Sequence, residues 1–202
     1  LKKKKISYFD IFKEIKKNIY FKENKYHGWN EINLSDIKRQ YKEIDKEFKK
    51  DKSVFYKKKL FGIPFGVKDI FNTDNFKTEM GSAIWKNFFP GNNARVVDRL
   101  INDGCINVGK TVTAEFAVHE LNKTLNPYDI TKTPGTSSSG SAVVVSTGMV
   151  PFALGTQTAG SIIRPASFCG VWGMKPSYGL IPRTGVLKTS DTLDTIGFLT
   201  SH

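Results

Sequence analysis

The 202-residue chain is poor in the side chains that build most metal and acid–base sites, with 2 cysteines and 3 histidines. Cys105 and Cys169 lie far apart with no C-x-x-C spacing, so neither a zinc site nor a redox dithiol is expected. Both sit in small apolar settings, "GCINV" and "SFCGV", which read as buried, reduced thiols. That fits a reducing compartment, and the cytoplasm is the expectation. No apolar run approaches the ~18 residues of a membrane-spanning helix. The leading "LKKKKISYFDIFKE" is basic but has no apolar stretch or small-residue cleavage site, so no secretory leader is expected. Arginine is scarce as well, 5 of the 31 basic residues. Proteins that read nucleic acid rely on its bidentate contacts. The net charge of +12 is also unevenly spread, with 19 Lys/Arg against 9 Asp/Glu in residues 1–60 and 12 against 10 thereafter. Lysine-rich, solvated helix faces explain this better than a nucleic-acid footprint, and no direct nucleic-acid or membrane contact is expected.

What is present is globular: 39% hydrophobic and 25% charged residues, in a length suited to one substantial domain. Tyr8, Ile11, Phe12, Ile15 and Ile19, and again Ile37, Tyr41, Ile44 and Phe48, recur at helical spacing. Residues 1–59 therefore read as basic amphipathic helices packed on the rest, residues 60–202, with Ser35 capping the second helix. The "SDIK" that Ser35 begins is a chance S-x-x-K match. From "LFGIPFGVKDIF" onward the chain turns apolar and glycine-punctuated. "NARVVDRLINDG" predicts a helix capped by Asn93 and stopped by Gly104, and "CINVG" a buried strand. "SAVVVSTGMV" predicts a core helix, "PFALGTQTAGS" a strand running into a glycine turn, and "FCGVWGMKP" another short strand. Alternating helices and strands make an α/β layered fold the expected class.

Two segments imitate nucleotide-binding loops. "GCINVGKT", Gly104 to Thr111, satisfies G-x-x-x-x-G-K-[ST], yet such a loop must follow a strand and open a helix. Here a helix precedes it, and Cys105, Ile106 and Val108 belong to the strand itself, so Lys110 is assigned a structural role or one supporting a site from behind. "PGTSSSGSAVVV", Pro134 to Val145, lacks the lysine after its last glycine. It also misses G-x-S-x-G, because Ser139 stands where the closing glycine belongs. A plain capping loop does not need four serines in five residues.

A serine nucleophile needs a base. His27, His119 and His202 have no motif-like surroundings, so a Ser-His-Asp arrangement is not expected. A lysine serves only if burial lowers its pKa. Lys68 is flanked by apolar residues in "GIPFGVKDIF", although a lysine at a strand end can equally extend its ammonium to solvent.

"GIPFGVKDIF", "PGTSSSGSAVVV", "LGTQTAGSIIRPASFCGVWGMKPS" and the trailing "GLIPRTGVLKTSDTLDTIGFLT", in this order, resemble the amidase signature family of hydrolases from about Leu60 to Thr200. The resemblance implies an α/β/α sandwich around a mixed β-sheet and a Ser–cis-Ser–Lys triad. By position it makes Ser161 the nucleophile, Ser137 the bridging serine in a cis peptide and Lys68 the base. Backbone amides of Thr158, Ala159, Gly160 and Ser161 would form the oxyanion hole, with Ser138, Gln157 and Arg164 in support. It implies a small-molecule amide as substrate, no cofactor and no metal. A homodimer is left open.

The chain departs from the family pattern in places. Thr136 and Ser139 stand where glycines are usual, Gln157 where aspartate is, and Ala159 where glycine is. Arg164 follows the nucleophile by three places instead of two. These departures suggest a divergent branch rather than the tRNA-linked amidotransferase subunit. Family members exceed twice this length, so the resemblance also implies that 202 residues form the N-terminal part of such a domain, with the sheet and acyl pocket incomplete. The expected activity is amide hydrolysis through an acyl-enzyme. An amidotransferase subunit working with a partner, and an inactive fragment or interaction domain, remain the alternatives.

Overall fold

The computed structural model describes residues 7–201. Helix α1 (Tyr8–Tyr26) starts at a reciprocal cap: Asp10 N–H donates to Ser7 Oγ at 3.2 Å, and Ser7 N–H to the Asp10 carboxylate at 3.0 Å. Its stripe of Tyr8, Phe12, Ile15 and Ile19 is buried. Strand β1 (Trp29–Ile32) follows, then α2 (Leu34–Lys50) with Ile37, Tyr41 and Ile44 buried, and the one-turn α3 (Val54–Lys57). The cap of α2 is Asn33 and not Ser35. Asn33 Oδ1 accepts from Asp36 N–H at 3.0 Å, while the Ser35 hydroxyl, already inside the helix, donates to the same oxygen at 2.6 Å.

Beyond residue 60 the chain gives β2 (Pro64–Lys68), α4 (Arg95–Asn102), β3 (Ile106–Thr111), α5 (Ser139–Ser146), β4 (Phe152–Gln157), α6 (Ile163–Phe168), β5 (Trp172–Met174) and β6 (Thr195–Thr200). Two 3-10 turns interrupt the connections, Ala83–Trp85 and Glu115–Ala117. The strands form one sheet in the order β1-β3-β2-β4-β6-β5. Its centre, β3-β2-β4, is parallel, and β1, β6 and β5 join antiparallel.

Neighbouring residues on a strand face opposite sides, and β4 shows the consequence. Ala153 belongs to a core shared with α1, α2 and α5, whereas Leu154 belongs to a second core with Phe65, Val67, Val96 and Val97. The sheet is therefore the middle of three layers, as expected. Helix α5 is buried along nearly its whole length, which explains why "SAVVVS" is small and apolar all round. Its approach is tight, since a Cβ on Gly140 would stand 2.3 Å from Gly28 O and Val112 N.

Several local expectations need correction. Asn93 does not cap α4: the cap is Ala94, without a side-chain bond, and Asn93 Oδ1 accepts from Asp74 N–H at 2.9 Å. The stop at Gly104 is as read, with φ +85°. Strand β1 lies inside the segment read as purely helical, and α6 takes up the start of the run read as a strand, leaving Trp172–Met174 for β5.

Candidate active site

Parallel β2 and β4 end side by side, with Val67 opposite Leu154, and their last residues meet the N-terminus of α5. The C-terminal ends of parallel strands are where α/β folds place ligands. Lys68 is the final residue of β2 and is 0% exposed. Its Nζ donates to Ser137 Oγ at 2.7 Å and to Thr156 Oγ1 at 2.9 Å. The lysine does not reach solvent, and with no carboxylate on its ammonium, burial pulls its pKa down to about 7 against the opposing pull of Asp194.

Ser137 is also 0% exposed, and the Thr136–Ser137 peptide bond is cis. Ser138 links three parts of the site. Its N–H donates to Ser161 O at 3.2 Å, its hydroxyl donates to Thr156 O at 3.3 Å, and Thr156 N–H approaches the same hydroxyl oxygen at 3.4 Å. Ser161 is half-buried on the turn between β4 and α6, held beside Ser137 and Ser138 through its own carbonyl. Among the described residues its hydroxyl makes no hydrogen bond to Ser137, so of the three residues expected to act together only Lys68 and Ser137 are hydrogen-bonded.

The turn itself is firmly held. Gln157 Oε1 accepts from Ile162 N–H at 2.9 Å and Ile163 N–H at 3.0 Å, closing the loop at the start of α6. A carbonyl oxygen supplies these bonds as well as a carboxylate would, which accounts for glutamine at this place. Arg164 extends along Gly160 and reaches Thr136 Oγ1 at 3.5 Å. The Thr158 hydroxyl donates to Asp194, whose other oxygen accepts from Thr189 N–H at 2.7 Å and Ser190 N–H at 2.9 Å. Burial pushes Asp194 up, but the bonds from Thr158, Ser190 and Thr189 outweigh it and hold the carboxyl below its ordinary range. Among the described residues, no hydrogen bond engages the backbone amides of Thr158, Ala159, Gly160 or Ser161. Free amides on a rigid turn are what an oxyanion requires.

The other residues singled out lie elsewhere. His27 caps α1 in a left-handed conformation, His119 is exposed, and His202 falls outside the described residues. Lys110 sits within β3, 3.0 Å from Asp69, and donates to Phe71 O, Lys77 O and Thr78 Oγ1 at 2.8, 2.9 and 2.7 Å. Its apparent phosphate loop is a buried strand. Burial pushes Asp69 up to about 6 and pulls Lys110 down, while each draws the other back toward its charged form. Among the described residues, no cluster of three His, Cys, Asp or Glu side chains could hold a metal ion. Nor is any helix there long and apolar enough to cross a membrane. Sequence reasoning missed Thr156, Asp194 and the Asp69–Lys110 pair. The available signal for Thr156 was a hydroxyl at the end of the apolar strand "FALGTQ".

Residues 10–202 match the family model described as Amidase. A glutamyl-tRNA(Gln) amidotransferase subunit from Geobacillus kaustophilus is 39% identical over 99% of this chain and 42% of its own length. Among solved structures, the native peptide amidase from Stenotrophomonas maltophilia superposes with a TM-score of 0.88 at 30% identity, over 97% of this chain and 42% of that one. The corresponding glutamyl-tRNA(Gln) amidotransferase subunit from Thermotoga maritima gives a TM-score of 0.78 at 30% identity, over 97% of this chain and 44% of that one. The chain thus spans about 42% of the length of the curated relatives it matches, and its fold is partial relative to the solved structures. With its departures at Thr136, Ser139, Gln157, Ala159 and Arg164, the chain is still 39% identical to the Geobacillus amidotransferase subunit, so the expectation of a branch away from those subunits finds no support.

Proposed function

The chain belongs to the amidase family, and on that premise we propose that it carries the catalytic half of an amide hydrolase working through a Ser161–Ser137–Lys68 relay. The observation that supports this most is the buried Lys68 with its Nζ 2.7 Å from Ser137 Oγ and a pKa of about 7. A lysine that loses its proton near neutral pH can act as a base, and a serine hydroxyl can both accept and donate.

In the first step Ser161 Oγ attacks the amide carbonyl carbon, giving its proton to Ser137 as Ser137 gives its own to Lys68. The new C–O bond pushes an electron pair onto the carbonyl oxygen, which the amides from Thr158 to Ser161 receive. The tetrahedral adduct then expels the amine. The C–N bond breaks, and Lys68 returns a proton to the departing nitrogen through Ser137. Water attacks the resulting ester with the same relay as base, releasing the acid and restoring Ser161. Gln157 and Arg164 support this by fixing the turn, and Ser138 by holding it to α5.

The names of the curated relatives favour a second reading, in which the amide is that of glutamine and the ammonia passes to a partner protein. Copurification of a stable partner, with glutamine turnover that depends on it, separates this from simple hydrolysis. The core proposal is tested with a fluorophosphonate probe, which should form one adduct, mapped by mass spectrometry to Ser161 and absent in Ser161→Ala. An adduct on another serine rejects the assignment.

A further inference from the structure

Lys68 has two hydroxyl partners, and the relay uses only one. We propose that Thr156 is a positioning residue for the base: its hydroxyl holds one N–H of the Lys68 amine so that the nitrogen lone pair points at Ser137. This rests on Lys68 being the base, as proposed above.

A neutral amine has two N–H donors and one lone pair. To take the proton from Ser137, the lone pair must face Ser137 Oγ at 2.7 Å, leaving both N–H groups to be directed elsewhere. Lys68 and Ser137 are themselves 0% exposed, and an amine there with no fixed donor bond is free to rotate about its last C–N bond and present an N–H to Ser137 instead. Thr156 Oγ1, 2.9 Å away, removes that freedom by accepting one N–H. The backbone of the same residue engages Ser138, through its O at 3.3 Å and its N–H at 3.4 Å. Thr156 therefore fixes the base and the neighbour of the bridging serine from one point on β4. Once Lys68 carries the proton, the same hydroxyl accepts from the ammonium and stabilises it.

Other charges near Lys68 do not duplicate this. Asp194, at the entry to β6, acts on Lys68 through space and spends its oxygens on Thr158, Thr189 and Ser190. Asp69, the next residue after β2, is bound to Lys110 of β3. The groups bonded to the Lys68 amine, from Ser137 ahead of α5 and from Thr156 of β4, are both hydroxyls.

The test is the rate of fluorophosphonate labelling at Ser161 as a function of pH, in the wild type, Thr156→Val, Thr156→Ser and Lys68→Ala. Valine keeps the shape and removes the acceptor, so the plateau rate should fall by about ten-fold or more. Its acid limb should move to lower pH, because the ammonium has lost a stabilising acceptor. Serine should restore both. Thr156→Ala repeats the test should the valine protein not fold. A valine variant with the wild-type rate and limb overturns the assignment, and so does a slower rate with the limb unmoved, which marks structural damage alone. If Lys68→Ala labels as fast as wild type, the relay itself is wrong, an outcome distinct from either.

Discussion

Replacing Lys68 with methionine tests the base through stability instead of turnover. An unperturbed lysine titrates at 10.5, and burial brings Lys68 to about 7. At pH 7 this raises the neutral fraction from roughly 0.03% to roughly one half. The same shift is a folding term. In the unfolded chain the amine keeps its proton up to its ordinary pKa, while the folded protein releases it near 7. Between those limits the unfolded state binds more protons, so stability rises with pH by up to about 1.4 kcal/mol per unit. From pH 7.5 to 9.5 Lys68 alone contributes a gain of about 2.5 kcal/mol. Lys68→Met removes it. The variant also leaves the Ser137 and Thr156 hydroxyls without a partner, costing about 1–3 kcal/mol each, but that loss does not vary with pH. Other titrating groups, such as Tyr41, Cys105 and Cys169, are present in both proteins and cancel. Urea unfolding of both at pH 7.5, 8.5 and 9.5 should therefore show the wild type gaining on the variant by about 2.5 kcal/mol across the range. A constant difference would mean that Lys68 keeps its proton when buried, and Ser137 would have no base.

Two further outcomes test the frame around the site. Lys110→Met leaves the Asp69 carboxylate buried without its opposite charge, bonded only by the Asn30 amide and the Glu79 N–H, and should cost about 3–5 kcal/mol in urea unfolding, with much of it recovered in Lys110→Met/Asp69→Asn; a loss under about 1 kcal/mol would show the pair to be irrelevant. Gly140→Ala forces a Cβ to within 2.3 Å of two backbone atoms and should lower stability by about 2 kcal/mol or more, despite alanine's better helix propensity. Gly160→Ala, whose Cβ meets only the movable end of Arg164 at 3.2 Å, should cost less than about 1 kcal/mol, and thermal melts that rank the two the other way contradict the packing argument.

The elements legible in the sequence were those whose burial is periodic. Helices α1 and α2 show their stripes, and α5 and β3 are apolar enough to be core whatever their neighbours. Strand β1 was not legible. "WNEI" is short and mixed, and it is a strand because β3 lies beside it with Trp29 opposite Thr111. Helix α6 is six residues with Pro165 in its first turn, too short for a period to show. The caps failed for another reason. Ser35 lies just inside its helix and Asn93 just outside, both suitable residues beside the true cap, and composition does not locate a boundary that finely. The Ser35 hydroxyl bonds Asn33 two residues back, and the Asn93 amide bonds Asp74, 19 residues away.

The family and the grouping of Lys68 with Ser137 were legible as motif order, but the surroundings of each lysine were not. Lys68 and Lys110 end or nearly end adjacent parallel strands, and both are 0% exposed. In sequence Lys110 has the stronger motif, a complete phosphate-loop pattern, while Lys68 has only apolar neighbours. What separates them is the partner each meets across the sheet. Lys110 meets a carboxylate, two carbonyls and a hydroxyl, all of which favour an ammonium. Lys68 meets two hydroxyls and no carboxylate; hydroxyls offset burial less than a carboxylate does, so burial decides its state. The register of β2 against β4 puts Thr156 within reach, and the fold of the serine loop delivers Ser137. Both are long-range facts, 88 and 69 residues from Lys68 along the chain. On the proposed relay, the same buried amine is an anchor in one pairing and a base in the other, and exchanging their partners should exchange their roles.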